Sequence, residues 1–209
     1  FKYQPSLNTQ TQSIEIFEVL PKIKHSKYGT LSKSQIERIV NFGGYEKEFE
    51  EKSIALLLDE IRPYLSKNKR FSLDISPVTL RNNHFKSYIN TLFREQKIDP
   101  HFFILEITEK NSYEDMARFR EILLSYQESG FQIALGNFGG NNCGFEYLKH
   151  LPIDLVKFDI EFTKKIGEAK YARVFQSYLT LAHDLGVKTM VKFVDKETLF
   201  EKIKAFNPD

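Results

Sequence analysis

Short apolar runs alternate with longer segments of helical period along most of the chain. Such a run predicts a buried strand, whereas apolar residues three or four positions apart predict one buried helix face. The predicted strands are Phe71–Ile75, Phe103–Ile107, Phe131–Leu135, Leu155–Asp159 and Lys188–Val191. Helical periods over residues 80–93, 116–126 and 171–185 lie between them, so the repeating unit is strand, loop, helix.

This repeat predicts an α/β fold with a parallel sheet covered by helices. Gly130 and Gly186 each follow a helical period and directly precede a strand, as left-handed helix C-caps do. Residues 1–5 and 14–23 predict one or two further strands, and residues 54–65 and 199–206 predict further helices. The pattern leaves a doubly wound sheet and a barrel open. In a barrel, closure would be incomplete, because no strand follows the last helix.

Composition indicates a globular protein, and the 209 residues predict a single domain over residues 1–209. Hydrophobic residues make up 41% of the chain and charged residues 28%, which excludes disorder as the main state. A net charge of +2 gives no field that favours DNA. With no 18-residue apolar run, no signal peptide and one cysteine, Cys143, a cytoplasmic location is predicted. The chain opens at Phe1 without Met, so we expect a piece of a longer protein.

Polar residues recur where the predicted strands end. They are Asp74, Glu106 with Glu109, Asn137, Asp159 and Asp195. In a barrel the carboxyl ends of the strands converge on one face, where such carboxylates favour a divalent metal or an acid–base site. Taken singly, each residue is more typical of a helix cap or of a solvated surface position than of a functional site. Lys157 lies inside an apolar strand and therefore requires an anionic partner.

Other catalytic motifs are missing from the sequence. It contains no P-loop, no dinucleotide-binding glycine fingerprint and no HExxH. The five histidines lack metal-ligand spacing, and Cys143 has no histidine motif nearby. The strand ends are therefore the candidate site.

Six segments occur in the order of the signatures of one family. They are residues 3–5 (YQP), 18–22 (EVLPK), 72–76 (SLDIS), 106–109 (EITE), 134–139 (ALGNFG) and 151–159 (LPIDLVKFD). The chain thus resembles the EAL domain family, which hydrolyses cyclic di-GMP. The resemblance implies a modified TIM barrel whose first strand is antiparallel, and we expect this fragment to lack the last strand.

Departures from the family pattern fall on the positions that the resemblance implies are catalytic. Active members hold two Mg²⁺ or Mn²⁺ ions, and the matching positions are Glu18, Asp74 (where the family has Asn) and Glu106. Gly136 and Asn137 replace the metal-bridging aspartate pair, and Lys192 replaces the general-base Glu. An ammonium has no lone pair with which to accept a proton from water. We therefore expect no phosphodiesterase activity and no metal cofactor.

The positions implied to hold the nucleotide are largely retained. The predicted ligand-binding residues are Gln4, Glu18, Leu20, Lys22, Asp74, Lys157, Asp159, Lys192, Phe193 and Asp195. Lys22 replaces the family Arg and loses its bidentate fork. Lys192 offers a cation to the phosphates. Phe193 either stacks on a guanine or fills core space, and Asp195 is the candidate acceptor for a guanine N–H.

Two functional hypotheses follow from these retained and lost residues. The first is a catalytically inactive receptor that binds cyclic di-GMP without metal and signals to a partner or neighbouring domain. It resembles the receptor-type EAL domains of type IV pilus and twitching-motility regulators. The resemblance further implies a PilZ-type adaptor protein as partner and a GGDEF-like domain upstream in a longer multidomain regulator. The alternative is a scaffold that binds no nucleotide and acts only through protein contacts.

Overall fold

The computed structural model describes residues 1–67, 69–108, 115–140 and 144–209. The strands are β1 (Lys2–Leu7), β2 (Ile14–Leu20), β3 (Lys24–His25), β4 (Gly29–Thr30), β5 (Arg70–Asp74), β6 (Phe103–Ile107), β7 (Gln132–Phe138), β8 (Leu155–Phe158) and β9 (Lys188–Met190). The α-helices are α1 (Lys33–Gly43), α2 (Glu46–Ile61), α3 (Pro77–Leu80), α4 (Asn83–Gln96), α5 (Met116–Glu128), α6 (Phe145–His150), α7 (Ile160–Lys165), α8 (Ala169–Asp184) and α9 (Glu197–Lys204). Two 3₁₀ turns cover Arg62–Lys67 and Pro100–Phe102.

Seven strands form one curled sheet in the order β1-β2-β5-β6-β7-β8-β9. β1 runs antiparallel to β2, and every later neighbour is parallel. The Ser6 hydroxyl in β1 lies 3.6 Å from the Met190 sulfur in β9, so the curl brings the two edges of the sheet together. Because strand order follows chain order, the sheet is a half-barrel of the TIM type, which confirms the predicted barrel and its antiparallel first strand.

The inner face of the half-barrel changes from apolar to polar along the strands. A small inner core at the amino end is formed by Ile16, Ile104, Ala134 and Leu155, with Met190 against it. Side chains on one face of a strand recur every second residue. The next inward positions on the same strands are therefore Glu18, Glu106, Gly136 and Lys157. This second layer places charged groups at the carboxyl edge of the sheet.

The opposite face of the sheet carries the main core. Strand residues such as Phe71, Phe103 and Val156 are almost fully buried there against α2, α4, α5 and α8. Gly130 and Gly186 end α5 and α8 with positive φ angles of 99° and 71°, which confirms the predicted C-caps. The helices therefore lie outside the strands and leave the carboxyl edge open.

The predicted strands are confirmed, with shifts of no more than three residues at their ends. Of the residues that the sequence analysis singled out, Glu109 and Cys143 lie outside the described residues. Within the described part of the chain, no helix combines the length and apolarity needed to cross a membrane.

Candidate functional site

A cavity of about 900 Å³ opens at the carboxyl edge of the sheet. Its walls come from the ends of β2 and β5, one face of α1, the first half of α2, the first two turns of α5, and the loop after β9. The predicted site residues on the wall are Leu20, Asp74 and Lys192, and Glu106 and Asn137 line it as well. The strand ends thus converge as the sequence predicted.

Lys157 is the centre of the polar layer beneath this cavity. Its side chain is fully buried in β8. The ammonium contacts Glu106 Oε2, donates a hydrogen bond of 2.8 Å to Ser72 Oγ and lies 3.6 Å from Glu18 Oε2. The expected anionic partner of Lys157 is therefore confirmed, and it consists of two carboxylates. Ser72 is a site residue that sequence reasoning missed, although its place between apolar strand residues was a signal.

Lys192 supplies a second ammonium to the same carboxylate. Its Nζ lies 3.2 Å from Glu106 Oε1, so both oxygens of Glu106 face a lysine. Burial alone would raise the pKa of Glu106, but the charges of Lys157 and Lys192 lower it below its usual range. Thr163 in α7 donates a 2.7 Å hydrogen bond to the Lys192 carbonyl oxygen and fixes this loop. Glu106 is consequently an ionised, doubly paired carboxylate.

Lys33 was not predicted from the sequence, yet it lies on the cavity wall. Its Nζ is 3.0 Å from Asp74 Oδ2 and 3.9 Å from Glu37 Oε1. Desolvation would lower the pKa of Lys33, but Asp74 raises it. Desolvation also raises the pKa of Asp74, and the Lys33 charge opposes that rise. The available signal was the capping box of Ser32 and Gln35, which starts α1 and puts Lys33 in its first turn.

Glu50 on α2 is a second cavity residue that the sequence did not reveal. Its Oε1 accepts a 2.8 Å hydrogen bond from the Ser76 N–H, where the chain leaves β5 and enters α3. Burial raises the pKa of Glu50 to about 8, and the Ser76 hydrogen bond partly offsets this rise. Glu50 therefore fixes the turn that follows Asp74.

Gly136 packs against the Glu106 side chain at the end of β7. A Cβ built on Gly136 would lie 2.7 Å from Glu106 Oε1 and 2.6 Å from Thr108 Oγ1. Such distances are too short for real Cβ contacts, so any larger residue requires Glu106 or Thr108 to move. The glycine and the position of the doubly paired carboxylate therefore depend on each other.

Seven of the predicted ligand-binding residues do not line the cavity: Glu18 and Lys157 lie beneath it, and the other five lie outside its wall. Gln4 is exposed on β1 opposite Glu18, and Lys22 is exposed just after β2. Asp159 caps α7 by accepting a 2.8 Å hydrogen bond from the Glu161 N–H, as the capping alternative expected.

The remaining two, Phe193 and Asp195, are exposed in the loop after β9. Phe193 is 56% exposed with a φ of +62°, so the alternative in which it fills core space is wrong. An exposed ring at the carboxyl edge remains available to a ligand.

The metal positions implied by the sequence are occupied by ion pairs. Glu106 pairs with Lys157 and Lys192, Glu18 faces Lys157, and Asp74 pairs with Lys33. Over the described residues, no group of three or more His, Cys, Asp or Glu side chains is placed to hold a metal ion. In this arrangement the carboxylates serve as partners of lysines, and the donor set does not fit a two-metal centre.

A mostly parallel half-barrel with an antiparallel first strand and a charged carboxyl edge defines a TIM-like α/β domain. The family model of the EAL domain matches residues 1–209, and the chain therefore belongs to the EAL domain family.

Two curated relatives match most of the chain. The cyclic di-GMP phosphodiesterase PdeA of Borreliella burgdorferi is 26% identical over 189 residues, which is 89% of this chain and 28% of that protein. A cyclic di-GMP phosphodiesterase of Pseudomonas aeruginosa is 23% identical over 207 residues, which is 98% of this chain and 35% of that protein. The chain thus spans about a third or less of the length of these relatives.

Solved structures share the fold. The PaMucR phosphodiesterase in complex with c-di-GMP has a TM-score of 0.90 at 19% identity, covering 99% of this chain and 85% of that one. The FimX EAL domain of Xanthomonas citri in complex with c-di-GMP has a TM-score of 0.85 at 16% identity, covering 99% and 82%.

The prediction that this chain is not an enzyme is contradicted by these comparisons, because the curated relatives are named as phosphodiesterases. That prediction relied on the residue types at positions 136, 137 and 192. The relationship instead extends over nearly the whole chain, and Glu18, Asp74 and Glu106 still gather at the carboxyl edge. The absence of a few expected catalytic side chains was therefore not enough evidence to predict that this chain is not an enzyme.

Proposed function

We propose that this chain binds cyclic di-GMP at the cavity on the carboxyl edge of the half-barrel. The observation that carries the proposal is the ammonium of Lys192, which lines this cavity beside Glu106 in a chain of the EAL family. A cation in a partly desolvated wall attracts a phosphodiester more strongly than one in open solvent. The c-di-GMP complexes of PaMucR and the FimX EAL domain, which share this fold, support the choice of ligand.

In this proposal the nucleotide is held from three places, which are the cavity wall, the loop after β9 and the rim near β2. Leu20 on the cavity wall contacts a base, and the exposed Phe193 ring stacks on a guanine. Asp195 accepts a hydrogen bond from the guanine N–H. Gln4 and Lys22, at the rim near β2, contact the base and a phosphate.

Lysines rather than metal ions balance the phosphates in this proposal. Lys192 and Lys33 line the cavity, while Lys157 lies beneath it and holds the carboxylates of Glu106 and Glu18. An ammonium donates directly to phosphate oxygens and needs no divalent ion to do so. Binding is therefore expected to persist in EDTA.

The binding test compares the intact chain with two aromatic variants in EDTA. Equilibrium dialysis against labelled cyclic di-GMP should give saturable binding, and Phe193→Ala should weaken it by about fivefold or more, the range expected for a lost base stack. Phe42→Ala is the matched control, because Phe42 is 98% exposed on α1 and does not line the cavity. Equal affinity of the wild-type chain and Phe193→Ala would remove the stacking role. No binding by the wild-type chain would favour the protein-contact scaffold.

The second candidate function is hydrolysis of cyclic di-GMP, and the names of the curated relatives favour it. Its test is chromatography of the nucleotide after incubation with the chain in Mg²⁺ or Mn²⁺. A linear dinucleotide product would establish this function. The same incubation with Glu106→Gln should then abolish product, because Glu106 is the carboxylate at the centre of the site.

The downstream role is also proposed from the family resemblance. Nucleotide binding by this domain would be signalled to a PilZ-type adaptor or a GGDEF-like neighbour, in a cytoplasmic regulator of type IV pili. Co-purification of a PilZ-type protein that depends on cyclic di-GMP would support this proposal, and nucleotide-independent capture would favour the scaffold.

A further inference from the structure

The positive charge of Lys33 is unfavourable at its position in helix α1. It occupies the first turn of α1, directly after the N-cap Ser32, and no acidic residue shares that turn. The amino end of a helix carries partial positive charge, so a cation there is locally unfavourable. Positions where a sequence breaks a local rule are where functional constraints are expected.

The compensating partner of Lys33 comes from the sheet. Asp74, the last residue of β5, lies 3.0 Å from the Lys33 ammonium. The charges of Glu106 and Glu18 also act on Lys33, which places it at the same carboxylate cluster as Lys157 and Lys192. Three lysines from α1, β8 and the loop after β9 therefore meet three carboxylates.

Accessibility distinguishes Lys33 from the other two lysines. The exposed fraction of the side chain is 46% for Lys33, 16% for Lys192 and 0% for Lys157. Asp74, the partner of Lys33, is 36% exposed, whereas Glu106 is 3% exposed. An anion that enters the cavity can therefore replace Asp74 at Lys33 without opening the buried network.

We propose that Lys33 is a phosphate-binding residue of this site and that Asp74 is its internal competitor, holding the ammonium at the cavity wall until a phosphodiester replaces it. This inference rests on the proposed binding of cyclic di-GMP. It assigns one phosphate contact to α1, a helix that none of the sequence-predicted site residues belongs to.

The test measures affinity for cyclic di-GMP in EDTA at several salt concentrations. Lys33→Met should weaken binding about tenfold, the loss expected for one charge-assisted contact. It should also reduce the salt dependence of the dissociation constant. Lys47→Met is the matched control, because Lys47 lies near the start of α2, pairs with Glu51 at 3.7 Å and does not line the cavity. The control should change affinity less than about twofold.

Asp74→Asn separates a phosphate contact from a structural ion pair. If Asp74 competes with the ligand, its neutral isostere should tighten binding several-fold, and adding Lys33→Met should abolish that gain. If the pair only supports the fold, both single variants should lower thermal stability together and leave the affinity of the folded chain unchanged.

Wild-type binding together with an unchanged Lys33→Met affinity would overturn this inference alone. Absence of binding by the wild-type chain would overturn both the inference and the proposed function. Lys33→Arg keeps the charge and should retain most of the affinity, whereas an equal loss in Lys33→Arg and Lys33→Met would contradict a charge-based contact.

Discussion

Phe193 has a backbone conformation that residues other than glycine rarely adopt. Its φ is +62° and its ring is 56% exposed, so packing contributes little to offset the strain. We expect Phe193→Gly to be more stable than Phe193→Ala by about 1 kcal/mol, because both remove the ring and only glycine relieves the positive φ. Urea unfolding of the two variants measures this difference. Equal stability would show that the strain at position 193 is small.

Lys157 should be the most costly charged residue to remove. It is fully buried between Glu106 and Glu18, so Lys157→Met leaves the buried Glu106 with Lys192 as its one remaining cation and leaves Glu18 facing an apolar side chain. We expect a loss of about 3–5 kcal/mol in the free energy of unfolding.

The control is Lys165→Met, which removes an exposed pair with Glu161 and should cost far less stability, because solvent screens the two charges. Denaturant unfolding measures both variants. A similar small loss for the two lysines would contradict the account of the buried network.

Residue types predicted the buried network only in part. An apolar strand interrupted by Lys157 required an anion, and the structure supplies Glu106 and Glu18. Lys33 was not predictable in this way, because its partner Asp74 is 41 positions away and on a different element. Polar residues on helix surfaces give no periodic signal that identifies a long-range partner.

At the scale of secondary-structure elements, the end of β7 packs closely against β6. A methyl group on Gly136 would meet Glu106 and Thr108 at 2.7 Å and 2.6 Å, whereas one on Gly167 meets nothing within 4 Å. We expect Gly136→Ala to lower the free energy of unfolding by about 1–3 kcal/mol through overpacking. Gly167→Ala should leave stability unchanged or slightly increased. Thermal unfolding of the two variants tests the contrast, and equal melting temperatures would contradict it.

Glu50, which holds the turn between β5 and α3, should make the free energy of unfolding depend on pH. Burial raises the pKa of Glu50 to about 8 in the folded chain, above its ordinary value of 4.5. Between these values the folded state binds more protons than the unfolded state, so its stability falls as pH rises.

Glu50→Gln removes this titration and keeps an oxygen for the Ser76 N–H. The stability of wild type relative to this variant should therefore decline from pH 5 to pH 8, by up to about 1 kcal/mol per pH unit. Urea unfolding across that range is the measurement. Parallel pH profiles would show that Glu50 is ionised throughout.

Elements with a clear period were predicted well, and elements without one were missed. The strands of the sheet and helices α2, α4, α5 and α8 each bury a periodic apolar face. The ribbon of β3 and β4 has two residues in each strand, too few for alternation to be recognised. Helix α1 was missed although Ser32 and Gln35 form a capping box, and it buries only Ile36.

At the scale of the whole molecule, strand order decides between the two architectures that the pattern left open. Neighbouring strands follow chain order from β5 to β9, so all crossovers have the same sense and the sheet curls into a half-barrel. That curl brings the side chains of the second inner layer, Glu18, Glu106 and Lys157, together at the carboxyl edge. The sequence predicted that polar residues lie at the strand ends. Which of these residues pair with one another depends on the curvature of the sheet, which no local sequence pattern encodes.

The central claim is that this charged carboxyl edge binds cyclic di-GMP through lysines. The most direct measurement is isothermal titration of the chain with cyclic di-GMP in EDTA, with GTP as the comparison ligand. The account predicts saturable heat for cyclic di-GMP, affinity that weakens as salt rises, and a higher melting temperature in excess ligand. No heat and no shift in melting temperature at any salt concentration would contradict it.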